Sequence, residues 1–230
     1  MNCVLIIPAL EPPPTFPGFI RELIKNGFRR IVVVNDGSAA PWENIFAEVK
    51  AAGATVLRHK ENRGKGAALK TAFVHCLEED TATDAFITAD CDGQHKMEDI
   101  KKVLYSLEKY PDSIVLGTRA FDRETPKKSY LGNLTAAFFA KNLYGINVGD
   151  TQTGLRGLPY AYAPVLCRIP GQRFEYEINM LIDAARRHIP IRTVAIKTVY
   201  INENAASHYR PVRDSLRVSL CFLTNIGRKT

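Results

Sequence analysis

The chain has 230 residues, and its 31 Lys and Arg against 24 Asp and Glu give a formal net charge of +7. Hydrophobic residues are 46% and charged residues 24% of the chain, a globular composition that excludes a disordered or fibrous protein. No stretch approaches the ~20 apolar residues of a membrane-spanning helix, and residues 1–10 lack the basic start of a signal peptide. The five cysteines, without any C-x-x-C pair, favour a reducing, cytoplasmic setting.

The first half of the sequence predicts strands that alternate with helices. Short apolar runs rich in β-branched residues predict strands at 4–7, 31–34, 55–57, 85–88 and 114–116. Amphipathic stretches between them predict helices at 18–25, 43–52, 66–77 and 97–109. We therefore expect an α/β fold with a mostly parallel central sheet flanked by helices. Ligands bind such sheets beyond the carboxyl ends of the strands.

The regular alternation of predicted strands and helices ends after Thr118. The sequence predicts a polar basic loop at 119–129, followed by a helix at 130–144 and a turn-rich segment at 149–157. It then predicts a second helix at 176–187, a strand at 193–201 and a basic amphipathic helix at 207–226. No repeat, low-complexity tract or linker interrupts the chain. We therefore expect one domain over 1–204, followed by a basic tail over 205–230 that packs on the domain or lies on a membrane.

Two carboxylates follow the predicted strand 85–88 directly. Asp90 and Asp92 are two residues apart, so in extended backbone their side chains point the same way. Two such carboxylates repel each other unless a cation neutralises them, and oxygen ligands suit Mg²⁺ or Mn²⁺. Gln94 offers a further oxygen. The alternative is a surface acidic turn, because Asp-Gly is a common turn pair.

Two glycine-containing turns indicate a nucleotide. Asp36, Gly37 and Ser38 follow the strand 31–34, where a carboxylate beside a tight turn suits hydrogen bonds to a base or ribose; the alternative is a helix-capping turn. The glycine-rich run 62–66 opens the third predicted helix, and its amides together with Lys65 suit a phosphate. It is not a Walker P-loop, because no Ser or Thr follows the lysine.

A basic cluster falls in the predicted loop 119–129. Arg119, Arg123, Lys127 and Lys128 lie within ten residues of one another. Their positive groups suit a phosphate placed beside the metal. The alternative is a solvated surface loop.

Together these motifs resemble the family 2 glycosyltransferases with a GT-A (Rossmann-like) fold, specifically the branch of polyprenyl (dolichyl) phosphate sugar synthases. The resemblance covers about residues 3–215. The matching motifs are IIPA at 6–9, VVNDGS at 33–38, NRGKG at 62–66, DCDGQH at 90–95, GTR at 117–119, DTQTG at 150–154 and RFEYE at 173–177.

The resemblance implies a role for each matching residue. The nucleotide-sugar is expected to contact Pro8, Glu11, Asp36, Gly37, Ser38, Lys65 and Asp90. The metal, Mg²⁺ or Mn²⁺, is expected on Asp90, Asp92 and Gln94. The acceptor phosphate is expected to face Arg119, Arg123, Lys127, Lys128 and Ser129. Catalysis is assigned to Asp90, Asp92, Arg119 and Lys128.

The implied reaction is an inverting transfer of a sugar from a UDP- or GDP-sugar to a polyprenyl (undecaprenyl or dolichyl) phosphate. It is expected at the cytosolic face of the membrane, with the protein peripheral to the bilayer or held by a membrane-embedded partner or a further C-terminal membrane segment. A phosphate monoester is already largely ionised at pH 7, its second pKa being about 6. Such an acceptor needs positive positioning groups rather than a general base.

Two other functions stay open at this point. A saccharide hydroxyl acceptor would need a carboxylate base, for which Asp150, Glu175 and Glu177 are the candidates. A low-turnover sugar-nucleotide-binding subunit of a membrane complex would need no acceptor site at all. Nucleic acid is not an expected partner, because the chain carries no aromatic-basic platform or known binding motif.

Overall fold

A computed structural model of the chain describes residues 1–79, 82–119 and 127–197, together with Cys221, Phe222 and Asn225. Within 127–132 it describes the backbone. The strands are β1 (Cys3–Ala9), β2 (Arg30–Asn35), β3 (Thr55–Arg58), β4 (Ala85–Thr88), β5 (Ile114–Arg119), β6 (Arg156–Pro159) and β7 (Ile191–Ile196). The helices are α1 (Phe16–Lys25), α2 (Glu43–Ala51), α3 (Lys65–Glu78), α4 (Met97–Lys109), α5 (Lys127–Tyr144), α6 (Ala163–Leu166) and α7 (Glu175–Arg186).

In the described residues, seven strands form one sheet in the order β3-β2-β1-β4-β6-β5-β7. Six of the strands run parallel, and β6 runs antiparallel between β4 and β5. This confirms the mostly parallel α/β sheet predicted from the sequence. Because β6 is reversed, the loop that precedes it reaches the edge where the parallel strands end, and this places the segment 150–154 at the expected ligand edge.

The sequence did not predict β6, whose first two residues fall in the segment 149–157 that was read as turns. The strand has only four residues and contains Gly157 and Pro159, both of which are depleted in strands. The glycine is required by packing, since a β-carbon at Gly157 would lie 2.6 Å from Leu107 Cδ1 of α4. Tertiary packing therefore overrides the local preference of this segment.

The core lies on both faces of the sheet. Alternate β1 residues point to opposite faces, so that Val4 and Ile6 pack in one hydrophobic cluster while Leu5 and Ile7 pack in the other. Helices α3, α5, α6 and α7 contribute to the first cluster, and α1, α2 and α4 contribute to the second. In the described part of the chain, helices thus cover both faces of the sheet and leave the ends of the strands for polar chemistry.

The other predicted elements are confirmed with small shifts at their ends, except in two places. Helix α5 begins at Lys127 rather than at residue 130, so the last three residues of the predicted basic loop are helical. Strand β7 ends at Ile196, and the rest of the strand predicted at 193–201 falls almost entirely outside the described residues.

The tail boundary at 204–205 and most of the predicted helix 207–226 also lie outside the described residues. At the described positions, Tyr144 Oη donates to the carbonyl of Phe222 (2.7 Å), and Arg186 donates to the carbonyl of Asn225. Of the helices in the described part of the chain, none has both the length and the apolar character needed to cross a membrane.

Candidate functional site

The predicted motifs converge at the carboxyl edge of the sheet through side-chain contacts. Glu11, two residues after β1, contacts the loop after β2, and that loop holds the turn before α3. The first residue of α3 contacts both the segment after β4 and helix α7, while the end of β5 contacts the loop before β6. Arg156, which donates to the carbonyls of Thr151 and Glu177, joins these two groups of contacts into one polar network.

Asp36 organises the glycine-rich turn before α3. Its buried carboxylate accepts the backbone N–H groups of Arg63 (3.0 Å) and Gly64 (2.7 Å). His59 Nδ1 lies 2.6 Å from Asp36 Oδ1, and the other ring nitrogen contacts Thr71 Oγ1 at 2.8 Å. The sequence prediction placed Asp36 on a base or ribose and gave the turn amides to a phosphate. The structure instead pairs these amides with Asp36, and the prediction missed His59.

Gly37 and Ser38 shape the same edge. Gly37 has φ +77°, and a β-carbon there would overlap the backbone of Glu61 and the following residue, so only glycine lets the two loops meet. Ser38 Oγ accepts the backbone N–H of Glu11 (2.8 Å), whose φ of +48° turns the chain sharply after β1. Pro8 is buried within β1, whereas the side chain of Glu11 is exposed at this edge.

Lys65 joins two acidic side chains. Its Nζ lies 2.7 Å from Asp90 Oδ1 and 3.2 Å from Glu177 Oε2. Burial by itself would lower the pKa of Lys65, but these two carboxylates hold that pKa above its ordinary value. Burial would likewise raise the pKa of Asp90, yet Lys65 and the imidazole of His95, 3.3 Å from Asp90 Oδ2, hold it well below its usual range. Lys65 is thus ion-paired rather than open to a phosphate alone.

Asp92 has the opposite electrostatic environment. Burial, and then the neighbouring Asp90 charge, raise its pKa above the ordinary value. No ion pair to Asp92 occurs among the described residues, and its Oδ1 accepts the backbone N–H of Gln94 at 3.0 Å. A cation bound at Asp92 would relieve the repulsion that raises this pKa.

The residues after β4 fit a divalent cation whose remaining ligands come from the substrate. Asp90, Asp92 and Gln94 offer hard oxygen donors, which suit Mg²⁺ or Mn²⁺. Within the described ranges no group of three His, Cys, Asp or Glu side chains converges as a full metal cluster. Mg²⁺ is commonly held by one or two carboxylates together with substrate phosphates. The donor set therefore fits a cation shared between the protein and a diphosphate.

Arg119, at the end of β5, forms a forked ion pair with Asp150. Its Nε donates to Asp150 Oδ2 (2.7 Å) and its Nη2 to Oδ1 (3.3 Å), while the aspartate is fully buried. The side chain of Asn133 holds the neighbouring backbone, donating to the carbonyl of Gly149 (2.6 Å) and accepting the N–H of Thr151 (3.2 Å). The sequence assigned Arg119 to the acceptor phosphate and did not predict its aspartate partner.

The other acceptor residues of the sequence prediction are only partly described. Lys127, Lys128 and Ser129 lie in the first turn of α5, and nothing of their side chains is described. Arg123 falls outside the described residues. Their role toward an acceptor phosphate stays a prediction.

The three candidate general bases are all engaged by neighbouring groups. Asp150 is paired with Arg119, and Glu177 contacts Lys65. Glu175 Oε1 accepts the backbone N–H groups of Gln172 (3.1 Å) and the next residue (3.2 Å), which it holds at the start of α7. Each carboxylate thus stabilises the local structure.

Comparison with known proteins identifies the family that shares these motifs. The sequence model of the family described as glycosyl transferase family 2 matches residues 4–163. The UDP-N-acetylglucosamine–dolichyl-phosphate N-acetylglucosaminyltransferase of Methanococcus voltae is 28% identical over an alignment of 221 positions that covers 88% of this chain and 87% of that protein. A dolichyl-phosphate β-glucosyltransferase of Dictyostelium discoideum is 23% identical over an alignment of 257 positions that covers 97% of this chain and 76% of that protein.

The fold also has a solved counterpart. The structure of glucosyl-3-phosphoglycerate synthase from Mycobacterium tuberculosis, in complex with Mn²⁺, UDP-glucose and phosphoglyceric acid, matches with a TM-score of 0.73 at 19% identity. The match covers all of this chain and 81% of that one. The similarity confirms the GT-A-like α/β fold predicted from the sequence.

Proposed function

The chain belongs to glycosyl transferase family 2, and we propose that it transfers a sugar from a UDP- or GDP-sugar to a polyprenyl phosphate, inverting the anomeric configuration. The names of the M. voltae and D. discoideum relatives, both of which act on dolichyl phosphate, support this acceptor class. The M. voltae name also favours UDP over GDP. The extent of both matches, each at least three quarters of the relative, supports carrying the reaction class across.

The observation that carries the acceptor assignment is the engagement of all three candidate bases. Asp150, Glu175 and Glu177 each hold an ion pair or a helix start, so removing a proton would compete with a structural contact. A hydroxyl acceptor needs such a base. A phosphate monoester does not, because it is largely ionised at neutral pH.

The donor is assigned to the side of the site formed by β1, β2, β4 and α3. The turn ordered by Asp36, with Pro8, Glu11, Gly37 and Ser38 beside it, would receive the nucleoside. Lys65 would place its positive charge near the diphosphate while keeping its contact with Asp90. The preorganised network means that little side-chain rearrangement is needed on binding.

A divalent cation, Mg²⁺ or Mn²⁺, would be held by Asp92 with Asp90 and Gln94, and would supply Lewis-acid neutralisation of the leaving diphosphate. The protein's part is to keep these oxygens fixed at the end of β4. The Mn²⁺ in the mycobacterial structural relative is consistent with this assignment.

On the acceptor side, Arg119 and the first turn of α5, with Lys127, Lys128 and Ser129, would orient the acceptor phosphate, together with Arg123. A phosphate oxygen forms a bond to the anomeric carbon while the bond from that carbon to the diphosphate oxygen breaks. The nucleoside diphosphate leaves with the electron pair, and no proton is transferred. Attack opposite to the leaving group inverts the anomeric centre.

The acceptor also sets the place of action. A polyprenyl phosphate resides in a bilayer, so the enzyme would work at the cytoplasmic membrane face. The basic tail over 205–230, or a membrane-embedded partner, would bring it there, since basic segments bind anionic lipid surfaces.

The testing experiment is transfer of labelled sugar from separate UDP- and GDP-sugars to a short-chain polyprenyl phosphate, with Mn²⁺ or EDTA. Lipid-linked product that needs the metal is the expected result. Product on a saccharide or on phosphoglycerate, with none on the lipid phosphate, would reject the proposed acceptor. Nucleotide binding without turnover on any acceptor would favour a sugar-nucleotide-binding subunit.

A further inference from the structure

Arg156, the first residue of β6, is a fully buried arginine that binds backbone carbonyls. Its Nε donates to the carbonyl of Thr153 (2.9 Å), its Nη1 to that of Glu177 (2.7 Å) and its Nη2 to that of Thr151 (3.1 Å). The Nε also lies 3.6 Å from Glu177 Oε1. Arginine is almost never fully buried unless it is paired. The three carbonyls use its planar set of donors, which lysine lacks.

Arg156 reaches the donor side of the site through Glu177. The other carboxylate oxygen of Glu177 contacts Lys65 Nζ at 3.2 Å, and that ammonium contacts Asp90 at 2.7 Å. The four side chains alternate in formal charge along this line and together sum to zero. Buried charges are tolerated when they are paired and hydrogen-bonded in this way. The position of Lys65 therefore depends on the anchor that Arg156 gives to Glu177.

Arg156 reaches the acceptor side through the 150–154 loop. Two of the carbonyls it binds belong to this loop, which begins at Asp150, the partner of Arg119. The loop ends at Gly154, whose carbonyl accepts the hydroxyl of Thr88 (2.8 Å). The guanidinium therefore fixes the segment that holds Arg119 in place.

We propose that Arg156 is a positioning residue that couples the donor side of the site to the acceptor side. It touches neither substrate, because it is fully buried; it acts by holding Glu177 and the 150–154 loop in one arrangement. The proposal rests on the proposed function for the identity of the acceptor. It predicts that a single substitution at Arg156 weakens the binding of both donor and acceptor. A substitution on the donor side or the acceptor side weakens the binding of that substrate alone.

The test replaces Arg156 by lysine, which keeps the charge but cannot donate to three carbonyls in one plane. The affinity for UDP or GDP with Mn²⁺ is measured by calorimetry, and the acceptor KM and kcat are measured by transfer to a short polyprenyl phosphate. For Arg156→Lys we expect nucleotide affinity, acceptor KM and kcat each to worsen by about 10-fold or more, the scale of a small misplacement of reacting groups. Unchanged constants, or a change confined to one substrate, would overturn the coupling.

A second variant keeps the proposal testable if Arg156→Lys does not fold. Glu177→Gln preserves the backbone carbonyl that Arg156 binds but weakens the contact to Lys65. It should lower nucleotide affinity and leave the acceptor KM unchanged. A shift in the acceptor KM alone, or equal shifts in both constants, would contradict the assignment of Glu177 to the donor side.

The matched control is Leu23→Ala, a cavity variant in the last turns of α1. Leu23 is fully buried, and α1 runs back from the carboxyl edge, so its end lies away from the site. This variant should lower the thermal midpoint while leaving all three constants at wild-type values. If it reproduces the Arg156→Lys kinetics at the same folded fraction, the role of Arg156 is structural and the proposal fails.

The nucleotide measurement also separates this proposal from the proposed function, because it needs no acceptor. Absence of lipid-linked product from the wild-type protein would reject the acceptor assignment. Unchanged nucleotide affinity in Arg156→Lys would reject the coupling, whatever the acceptor is.

Discussion

Gly154 stands directly against the carboxylate of Asp90: a β-carbon on Gly154 would overlap both carboxylate oxygens and the carbon between them. The two residues belong to segments 64 positions apart, brought together because β6 runs antiparallel beside β4. The absence of a side chain at 154 is what allows Asp90 to take its place beside Lys65. The geometry of the proposed donor site thus depends on a glycine in the loop that also holds Arg119.

Gly154→Ala should therefore displace Asp90 and reduce transfer by about 100-fold, the loss expected from moving a reacting group by about 1 Å. Circular dichroism should show that the fold is retained. Gly149→Ala is the matched control, since no atom lies within 4 Å of a β-carbon at that position. Full activity in Gly154→Ala would mean that Asp90 does not need its present position.

Asp92→Asn should remove the metal dependence of nucleotide binding. The carboxylate is half-buried beside Asp90 and is not ion-paired among the described residues, so a cation is its best partner. The affinity for UDP with and without Mn²⁺ is the measurement. The wild-type protein should bind more tightly with Mn²⁺ and lose this gain in EDTA, whereas the variant should show the same weak affinity in both. The exposed Asp112→Asn is the control and should retain the gain.

Arg119→Ala should both destabilise the protein and weaken the binding of the acceptor. It leaves the buried Asp150 without its partner, which costs about 3 kcal/mol in the free energy of unfolding. Adding Asp150→Asn should recover much of this stability, because no buried charge is then left unpaired. The acceptor KM should stay raised in the double variant. Recovery of the KM together with stability would mean that Arg119 acts only as a structural partner.

Asp36→Ala should weaken nucleotide binding through the turn before α3. The substitution leaves the backbone N–H groups of Arg63 and Gly64 without their acceptor, and for the buried Gly64 this costs about 1–3 kcal/mol. Urea unfolding measures the loss of stability, and calorimetry measures the nucleotide affinity. Thr71→Val tests the support behind the turn, since it removes the hydroxyl that contacts His59. Thr71→Val should lower stability and nucleotide affinity less than Asp36→Ala does. A larger loss than in Asp36→Ala would mean that His59, rather than Asp36, holds the turn in place.

The sequence by itself determined the architecture of the first half of the chain. Strands such as β1 and helices such as α4 are encoded by local periodicity, apolar runs and turn residues, and in the structure they form where these local patterns predict them. The motifs at 33–38, 90–95 and 117–119 follow strand ends in the sequence, and parallel strands end at one edge, so their convergence was predictable. The sequence motifs also indicated the family that the comparisons established.

Only the tertiary structure decided what each polar group faces. Lys65 was predicted for a phosphate, Asp150 and Glu177 were candidate bases, and Arg156 had no assigned role. In the structure Lys65 and Arg156 carry positive charges that Glu177 pairs, while Asp150 pairs with Arg119. These contacts join segments far apart in the chain, through a reversed strand whose glycine and proline conceal it from local propensity. Charge pairing depends on distance in space, and no periodicity in the sequence encodes that distance.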